Sequence, residues 1–394
     1  MKIGIYGGAF DPPHLGHIRA AEYAVDVLQL QQLLLIPTCI SPHKKAPGRS
    51  AQGHHRLEML VLAAGNNPRL CPSSIELDRG GQSYTYETVL QVKKQHPDAE
   101  LILFMGTDMF LSLLNWRNPD IILQNASIGV FYRGEKQEKE QIARQKEAIE
   151  AMGARVYLVE NPVTEISSTQ IRRLMIMGCA GAYLPEGVES YIRQHDLYGT
   201  NNCYKNLPEE ELEQVVCSLL DPKRVAHVLG CRDTAYELAG LWGADKTDAV
   251  RAALLHDVTK ALDGPLQLQL CRSYDIPLNA FHEKNPKTLH AFTGSVIAKE
   301  VFGENKQVAD AICSHTTGKP GMSTLDKIIY VADYIEPNRD FPGVQMLRAL
   351  AYSNLDEALK LGLTMTVDML KSQGREVSVE SEQTLMWLGN ERKI

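Results

Sequence analysis

The first half of the chain alternates between two hydrophobic patterns. Short runs rich in Ile, Leu and Val are typical of buried parallel strands, and stretches with helical spacing of apolar positions separate them. Such alternation predicts a doubly wound α/β sheet, in which ligands bind at the carboxyl ends of the strands. The predicted strands are 2–7, 33–37, 101–105, 128–132 and 155–159, and the predicted helices are 15–28, 54–64, 84–96 and 137–152.

The second half shows few strand signals and predicts an all-α domain. A polar, turn-prone segment separates the halves and precedes an acidic first helical turn, Glu209-Glu210-Glu211. We therefore predict a first domain over 1–199, a linker over 200–208 and a second domain over 209–394. The predicted helices of the second domain are 209–219, 223–241, 245–256, 265–274, 288–301, 306–314, 323–335 and 341–371.

Composition places the chain among ordinary globular proteins. It has 394 residues, of which 44% are hydrophobic and 23% charged, and this length favours two domains. No apolar run reaches the roughly 18–20 residues of a membrane helix, and the N-terminus does not resemble a secretory signal. The eight cysteines form no CxxC pair, which fits a reducing compartment, so we expect a cytoplasmic protein.

Charge narrows the range of partners. The formal net charge is −7; residues 1–200 carry 20 basic and 21 acidic side chains, whereas residues 201–394 carry 21 and 27. An acidic surface disfavours binding driven by neutralisation of nucleic-acid phosphates. The more acidic half needs a metal or a local basic pocket to hold a phosphorylated ligand. We expect small-molecule partners, neither nucleic acid nor membrane, and leave a homo-oligomer open.

A glycine-rich turn joins the first predicted strand to a helix start, in the string Gly7-Gly8-Ala9-Phe10-Asp11-Pro12-Pro13-His14-Leu15-Gly16-His17. Glycines let the backbone approach a ligand closely, and the free N–H groups of a helix start favour anions. His14 and His17 share one face of the helix and can donate hydrogen bonds to phosphate oxygens. The alternative is a surface helix with two ordinary polar histidines at its start.

A second string, Ile166-Ser167-Ser168-Thr169-Gln170-Ile171-Arg172, also has the chemistry of a phosphate site. Ser167 or Ser168 can cap the following helix, and Arg172 lies one turn inside it. A serine, backbone amides and a guanidinium can together hold a triphosphate. The alternative is a capped helix with a surface arginine.

The two strings together resemble the GxFDPxHxGH and ISSTxIR motifs of the Rossmann-like nucleotidyltransferases related to class I aminoacyl-tRNA synthetases. Over residues 1–199 the chain further resembles the bacterial nicotinate-nucleotide adenylyltransferases. The strings that carry this second resemblance are Ile36-Pro37-Thr38, Pro42-His43-Lys44, Ser83-Tyr84-Thr85, Gly106-Thr107-Asp108, Asn115-Trp116-Arg117 and Leu197-Tyr198-Gly199.

The resemblance implies transfer of AMP from ATP, with Mg²⁺, to the phosphate of nicotinate mononucleotide. It implies that Trp116 stacks on the nicotinate ring, that Thr85 helps to hold its carboxylate, that Lys44 contacts phosphate, and that Asp108 contacts the ribose region. By the same resemblance the catalytic residues are His14, His17 and Arg172, and further nucleotide-binding residues are Gly7, Gly8, Phe10, Asp11, Gly106, Arg117, Ser167, Ser168 and Thr169.

Histidines and aspartates of the second half stand in apolar surroundings. His256-Asp257 follows the run 252–255, and Asp333 follows the run 328–332. Carboxylates in the apolar register of a helix are costly unless they are paired or bound to metal. Each histidine alone is an ordinary core or surface group on the alternative reading. The candidate metal ligands, which four helices could bring together, are His227, His256, Asp257, His290, His315 and Asp333.

This ordered set resembles the HD-domain metallophosphohydrolases. The strings 254–260, 315–318 and 332–339 resemble the bacterial HD hydrolases that split diadenosine tetraphosphate into two ADP. The resemblance implies a dinuclear centre in which Asp257 bridges two metal ions that activate water, while Lys260 acts in catalysis and, with Arg339, binds the polyphosphate. Nitrogen and oxygen ligands without thiolate suit first-row metals such as iron or manganese, and iron is the metal expected by resemblance.

The sequence thus predicts one bifunctional enzyme, with three alternatives. The first domain could use another acceptor, such as nicotinamide mononucleotide or phosphopantetheine, which the set Thr85, Trp116 and Arg117 disfavours. It could be an aminoacyl-tRNA synthetase relative, which the acidic charge, the short length and the ISSTxIR string disfavour. The second domain could act on another nucleotide, or bind one without catalysis and regulate the first.

Overall fold

The computed structural model describes residues 1–40, 50–132, 136–160 and 166–390. The chain divides into two compact units, Met1–Asn202 and Cys203–Ile394. The division falls inside the 200–208 stretch that the sequence analysis treats as linker. Part of that stretch packs into the second unit, since the buried ring of Tyr204 lies against Phe302 and the Leu207 carbonyl accepts a hydrogen bond from Arg251.

The described residues of the first unit form one parallel sheet in the order β3-β2-β1-β4-β5-β6. All five predicted strands are confirmed within one residue at each end. The third strand was missed because it has three residues and ends on a proline, too little for a hydrophobic pattern. The strands are β1 Lys2–Gly8, β2 Gln32–Pro37, β3 Leu70–Pro72, β4 Glu100–Gly106, β5 Ser127–Tyr132 and β6 Val156–Glu160.

Helices connect these strands, as a parallel sheet requires. The four long helices are confirmed, and so is the helix expected to follow Ser167, which is α8. The other short helices were not predicted because they span about two turns or less. The helices are α1 Leu15–Val27, α2 Gly53–Ala64, α3 Ile75–Arg79, α4 Thr85–Gln95, α5 Thr107–Ser112, α6 Pro119–Asn125, α7 Lys136–Ala151, α8 Ser168–Ile176 and α9 Val188–Gln194.

The order of the strands creates a crevice between β1 and β4. From β1 the chain moves outward to β2 and β3, and it returns to the other side of β1 with β4. Connections therefore leave these two neighbours in opposite directions, so their carboxyl ends are not covered by one common helix layer. This is where a doubly wound sheet binds its ligand, and the glycine-rich turn after β1 lies at this edge.

Close packing on the sheet depends on small residues. Gly129 in β5 lies under the ring of Phe104 in β4, and a Cβ at position 129 would stand 2.6 Å from two of its ring carbons. Phe104 also stacks on Phe131, with ring centroids 5.3 Å apart. The glycine is thus the space into which a core aromatic fits.

In its described residues the second unit is built from helices, which confirms the predicted all-α class. Its apolar positions face a common core, in which residues 252–255 and 328–332 are buried. The helices are α10 Glu209–Leu219, α11 Pro222–Trp242, α12 Lys246–Leu255, α13 Gly264–Ser273, α14 Ala280–Lys284, α15 His290–Glu300, α16 Lys306–Ser314, α17 Thr324–Ile335, α18 Val344–Ala351, α19 Leu355–Ser372 and α20 Val379–Asn390.

One helix prediction is wrong. The stretch 341–371, predicted as a single helix, forms α18 and α19, separated by a turn at 352–354. Asn354 caps the second helix, because its side chain accepts a hydrogen bond from the Glu357 amide at 3.1 Å. Apolar spacing continues across the turn and does not reveal the break. The capping residue Asn354 was the available signal for the start of a second helix.

Across the described parts of the chain, no helix combines the length and the apolar character needed to cross a membrane.

Substitution of Gly129 by Ala should lower the stability of the first unit. The added Cβ would meet the Phe104 ring at 2.6 Å, and overpacking of this kind costs about 1–3 kcal/mol. Urea unfolding followed by circular dichroism measures the change. The matched control is Gly7→Ala, where a Cβ meets nothing within 4 Å and the change should stay within about 0.5 kcal/mol. Equal losses in both variants would contradict the packing argument.

Candidate functional sites

The turn after β1 places a buried aromatic ring next to the histidines of the first unit. Phe10 has a positive φ of 47° and its side chain is fully buried. Its ring meets Tyr6 edge-on at 5.4 Å and His17 edge-on at 5.0 Å, between centroids. A Cβ on Gly8 would stand 3.2 Å from the Phe10 ring, so a glycine at position 8 keeps this ring in place. Gly7 is exposed beside it, with open space above its Cα.

His14 and His17 stack at the start of α1, with ring centroids 3.7 Å apart. The backbone N–H of His14 donates to Nδ1 of His17 over 3.3 Å. An amide can only donate, so Nδ1 of His17 carries no proton and the neutral ring has its proton on Nε2. His17 therefore presents a donor on Nε2. Nδ1 of His14 is buried and lacks a hydrogen-bond partner among the described residues.

Burial keeps both imidazoles neutral at physiological pH. Desolvation lowers the pKa of His14 from 6.5 to about 4. It also lowers the pKa of His17 well below the ordinary value, and the neighbouring His14 adds to the effect. In the free protein these side chains are thus neutral hydrogen-bond donors rather than fixed positive charges.

The two sequence motifs of the first unit meet in space. Ser167 is the N-cap of α8, with its hydroxyl accepting from the Gln170 amide at 3.2 Å. Ser168 donates to the Pro12 carbonyl at 2.9 Å, and Arg172 donates to the Asp11 carbonyl. Arg172 also donates to the Thr169 hydroxyl at 3.1 Å. The start of α8 is thereby fixed against the loop that carries the histidines.

The Asp11 carboxylate meets donors of the protein itself, and its expected contact with nucleotide stays a prediction. Its carboxylate is buried and accepts hydrogen bonds from the Tyr198 hydroxyl at 2.7 Å, the Ser50 hydroxyl at 2.8 Å and the Ala51 amide at 3.0 Å. Arg172 lies 3.7 Å from it. Its carboxylate is therefore engaged by protein donors, and Asp11 holds the loop in position.

Sequence reasoning missed Arg56, which supports the same loop. This buried guanidinium donates to the carbonyls of Ala9, Thr38 and Ala51 at 2.6–3.2 Å. One arginine inside a helical pattern gives no signal of such a role. Only the fold brings these three carbonyls within its reach.

The residues expected to contact the acceptor, and several of those expected to contact the nucleotide, lie on the β4 side of the crevice or beyond it. Gly106 ends β4, Asp108 is exposed in the first turn of α5, and Thr85 is the first residue of α4. Trp116 is partly buried, with Nε1 donating to Ser112 at 3.2 Å, and the Arg117 guanidinium lies 4.5 Å above the Tyr84 ring. Lys44 falls outside the described residues.

In the second unit the fold brings the six candidate metal ligands together. They come from α11, from the ends of α12 and α16, from the start of α15 and from α17. Asp257 lies at the centre: each of its neighbouring histidine Nε2 atoms is 3.4–3.8 Å from one of its carboxylate oxygens. Asp333 lies 3.0 Å from His227 and 3.9 Å from His256, between Oδ1 and Nε2.

The donor set fits divalent metal. Two groups of ligand atoms, each within 4.8 Å of one another, are His227, His256 and Asp333, and His256, Asp257 and His315. His290 joins the second group, since its Nε2 lies 3.1 Å from that of His315. Among the described residues, three buried atoms of this set have no hydrogen-bond partner: Nε2 of His227, Nε2 of His256 and Oδ1 of Asp257. Buried ligand atoms without a hydrogen-bond partner are expected where a cation binds.

Asp257, His290 and His315 have the charge states that bind metal, whereas His256 does not. Burial by itself would raise the pKa of Asp257, but His256, His315 and Lys260 together lower it well below the ordinary value. Burial lowers the pKa of His290 and of His315, which keeps both neutral. Ionised carboxylates and neutral imidazoles are the forms that bind metal. His256 differs: its pKa is raised, because Asp257 and Asp333 outweigh its burial.

Three cations surround the ligand carboxylates. Lys260 lies 3.5 Å from Asp257 and 2.9 Å from Nε2 of His290, and Arg339 donates to Asp333 at 2.6 Å. Arg224, which sequence reasoning missed, donates to Asp257 at 2.5 Å. It lies three residues before His227 on α11, so the same helical face carries both, and that spacing was the available signal.

Comparison with known proteins agrees with this division of the chain. The Cytidylyltransferase-like family profile matches residues 5–174, and the HD domain profile matches residues 224–338. A probable nicotinate-nucleotide adenylyltransferase of Geobacillus thermodenitrificans is 40% identical over 199 residues, which cover 50% of this chain and 86% of that protein. One of Dictyoglomus turgidum is 37% identical, over 50% of this chain and 96% of that protein.

A solved structure from Clostridium acetobutylicum, described as a predicted HD superfamily hydrolase involved in NAD metabolism, is 35% identical. It covers 47% of this chain and 98% of its own, with a TM-score of 0.46. Through its first unit the chain belongs to the nicotinate-nucleotide adenylyltransferase family, and its second unit contains an HD domain.

The buried histidines give a direct test of the electrostatics of the first site. The His14 ring should titrate near pH 4 instead of 6.5 in NMR spectra of histidine-labelled protein, assigned with His14→Gln. Since the unfolded chain takes up this proton near pH 6.5, folding stability should fall as the pH drops from about 6.5 towards 4. A midpoint near 6.5 for His14 would contradict the burial of its ring.

Proposed function

We propose that the protein is a bifunctional enzyme. Its first unit transfers AMP from ATP to nicotinate mononucleotide, giving deamido-NAD and pyrophosphate. Its second unit uses one water molecule to cleave diadenosine tetraphosphate into two ADP. The observation that carries the first activity is the joining of the His14–His17 turn to the α8 start at the β1–β4 crevice, together with family membership.

In the first reaction a phosphate oxygen of nicotinate mononucleotide attacks the α-phosphorus of ATP, and the bond to pyrophosphate breaks. No side chain needs to form a covalent bond, so catalysis consists of positioning and of stabilising charge. Nε2–H of His17 is the donor for a phosphate oxygen, as its fixed tautomer supports. Arg172 and the start of α8 bind the triphosphate. Mg²⁺ bound to ATP would neutralise part of the phosphate charge.

The acceptor pocket is proposed from the resemblance of Thr85, Trp116 and Arg117 to the family. An aromatic platform suits a flat pyridine ring. A guanidinium nearby, as Arg117 supplies, favours an acceptor whose ring bears a carboxylate. Nicotinate mononucleotide is therefore preferred over nicotinamide mononucleotide, and comparison of both acceptors in one assay separates these possibilities.

The observation that carries the second activity is Asp257, a buried carboxylate between four imidazoles. Two metal ions, iron with manganese as the alternative, would activate water and polarise the phosphoryl group when bound. Asp257 would help to hold both ions. Lys260, Arg339 and Arg224 supply positive charge for the polyphosphate chain. Several cations around one centre favour a substrate with several phosphates over a monoester.

A second candidate for this unit is hydrolysis of another nucleotide, or binding of a nucleotide without catalysis. Three cations near the ligands are compatible with other polyphosphates. A purely regulatory domain does not need unpartnered buried ligand atoms on three residues. Metal content and cleavage of a panel of nucleotides distinguish these functions.

His17→Ala should reduce adenylyl transfer by about 10²–10³-fold. Loss of one preorganised donor to developing phosphate charge has an effect of this size. The rate of deamido-NAD formation measures it. His54→Ala, an exposed histidine of the same unit, is the control and should keep the wild-type rate. Near wild-type turnover of His17→Ala with unchanged stability would remove the proposed role.

Asp257→Ala should abolish metal-dependent cleavage of diadenosine tetraphosphate and leave adenylyl transfer unchanged. The variant loses the carboxylate that lies within 3.8 Å of all four histidines. Release of ADP measures the cleavage of diadenosine tetraphosphate, and deamido-NAD formation measures adenylyl transfer. Asp326→Asn alters a buried carboxylate that pairs with Lys319 in the same unit and should keep cleavage. Cleavage at a normal rate in Asp257→Ala would exclude a bridging role.

A further inference from the structure

The four histidines around Asp257 differ in the partner of their Nδ1 atom. All four turn Nε2 towards Asp257, which leaves Nδ1 for a partner in the protein. For three of them that partner is a backbone carbonyl three residues earlier. His256 meets Ala253, His290 meets Lys287 and His315 meets Ile312, at 2.6–2.7 Å.

The position of each histidine on its helix explains this difference. His256 and His315 cap the C-terminal ends of α12 and α16, and His290 begins α15. Carbonyls at helix ends and in tight turns are not fully used by the helix, so they can accept a side-chain proton. His227 lies inside the 21-residue helix α11, and its Nδ1 meets a side chain instead of a backbone carbonyl.

Glu336 is that partner. Oε1 of Glu336 lies 3.1 Å from Nδ1 of His227, and the Glu336 side chain is 1% exposed. Oε2 accepts two hydrogen bonds from Asn338, at 2.7 Å from its backbone N–H and 2.9 Å from its side chain. The second oxygen is thus occupied by donors, and the first is available to His227.

The opposite helix leaves room for this carboxylate. Gly230 lies one turn after His227 on α11, and a Cβ there would stand 2.5 Å from Oε2 of Glu336. A glycine inside a helix costs about 1 kcal/mol relative to alanine. At this position the missing side chain leaves space for Glu336, Pro337 and Asn338.

We infer that Glu336 is a positioning residue for the metal centre, acting through His227. This inference rests on the proposed dinuclear centre. A carboxylate that accepts a hydrogen bond keeps the His227 proton on Nδ1, so the lone pair of Nε2 is free to bind a cation. Neither sequence motif contains this pairing, since 109 residues separate the two side chains.

Glu336→Gln tests the inference at constant size. The glutamine amide has one acceptor oxygen, and the N–H groups of Asn338 require it. The NH₂ group of the glutamine is therefore left facing Nδ1 of His227. Nδ1 must then accept, and the proton moves to Nε2, the atom that would bind metal. Only one of the two ligand groups contains His227. One of two bound metals should therefore be affected.

The measurement is Mn²⁺ binding to full-length protein stripped of metal, followed by the EPR signal of free Mn²⁺. Wild-type protein should bind two ions, and Glu336→Gln should weaken one of them by about 10–100-fold while keeping the other. Glu336→Asp, which keeps the charge, should recover part of the loss. The control is Glu304→Gln, a buried carboxylate of the same unit that pairs with Arg251, and it should bind as wild type.

Gly230→Ala provides a second variant that removes no charged group. Its Cβ would displace the Glu336 carboxylate, so it should weaken the same single ion. Unchanged binding of both ions in Glu336→Gln would overturn the inference, as would equal weakening in Glu304→Gln. If wild-type protein binds no Mn²⁺ or other divalent metal, the proposed centre itself fails and the inference fails with it.

Discussion

A carboxylate removed from water has to be balanced by the groups around it, and this constraint organises both units. Each unit contains one buried aspartate at its functional site, and each satisfies it differently. Asp11 accepts hydrogen bonds from Tyr198, Ser50 and Ala51, so its charge is spread over donors of the protein itself. Asp257 lies between four imidazoles and keeps one oxygen without a hydrogen-bond partner among the described residues.

This difference separates structural from chemical roles. The satisfied carboxylate of Asp11 fixes the turn that carries His14 and His17, and burial and Asp11 together raise the pKa of Tyr198, which keeps the phenol protonated as a donor. The incompletely satisfied carboxylate of Asp257 has capacity for a cation. The surrounding residues suit a site that binds a cation. Ligands converge there, hydrogen bonds orient their rings, and positive charge is available for an anionic substrate.

Much of the fold follows from hydrophobic spacing. Long periodic helices such as α11 and buried strands such as β4 carry strong signals, and their bounds were predicted within one or two residues. Short elements such as β3, and the break at Asn354, depend on turn chemistry that apolar spacing does not reveal. His256, Asp257 and Asp333 were visible because polar residues stood beside apolar runs, whereas the full ligand set was supported by its resemblance to HD-domain hydrolases.

Other features depend on contacts across the fold. Arg56 and Gly230 lack any distinguishing local pattern, since each acts through groups far away in the sequence. Glu336 lies within the string 332–339, but its pairing with His227 is not visible there. The motif that contains Asp11 gave no sign that its carboxylate meets Ser50 and Tyr198, since both partners are distant in the sequence.

The proposed chemistry of the second unit is tested most directly by the products it forms. Full-length protein loaded with iron or manganese is incubated with diadenosine tetraphosphate, and the nucleotides are separated by ion-exchange chromatography. If water cleaves the bond between the two middle phosphates, as the account predicts, ADP is the single product. ATP and AMP in equal amounts, or intact substrate in the presence of bound metal, would contradict it.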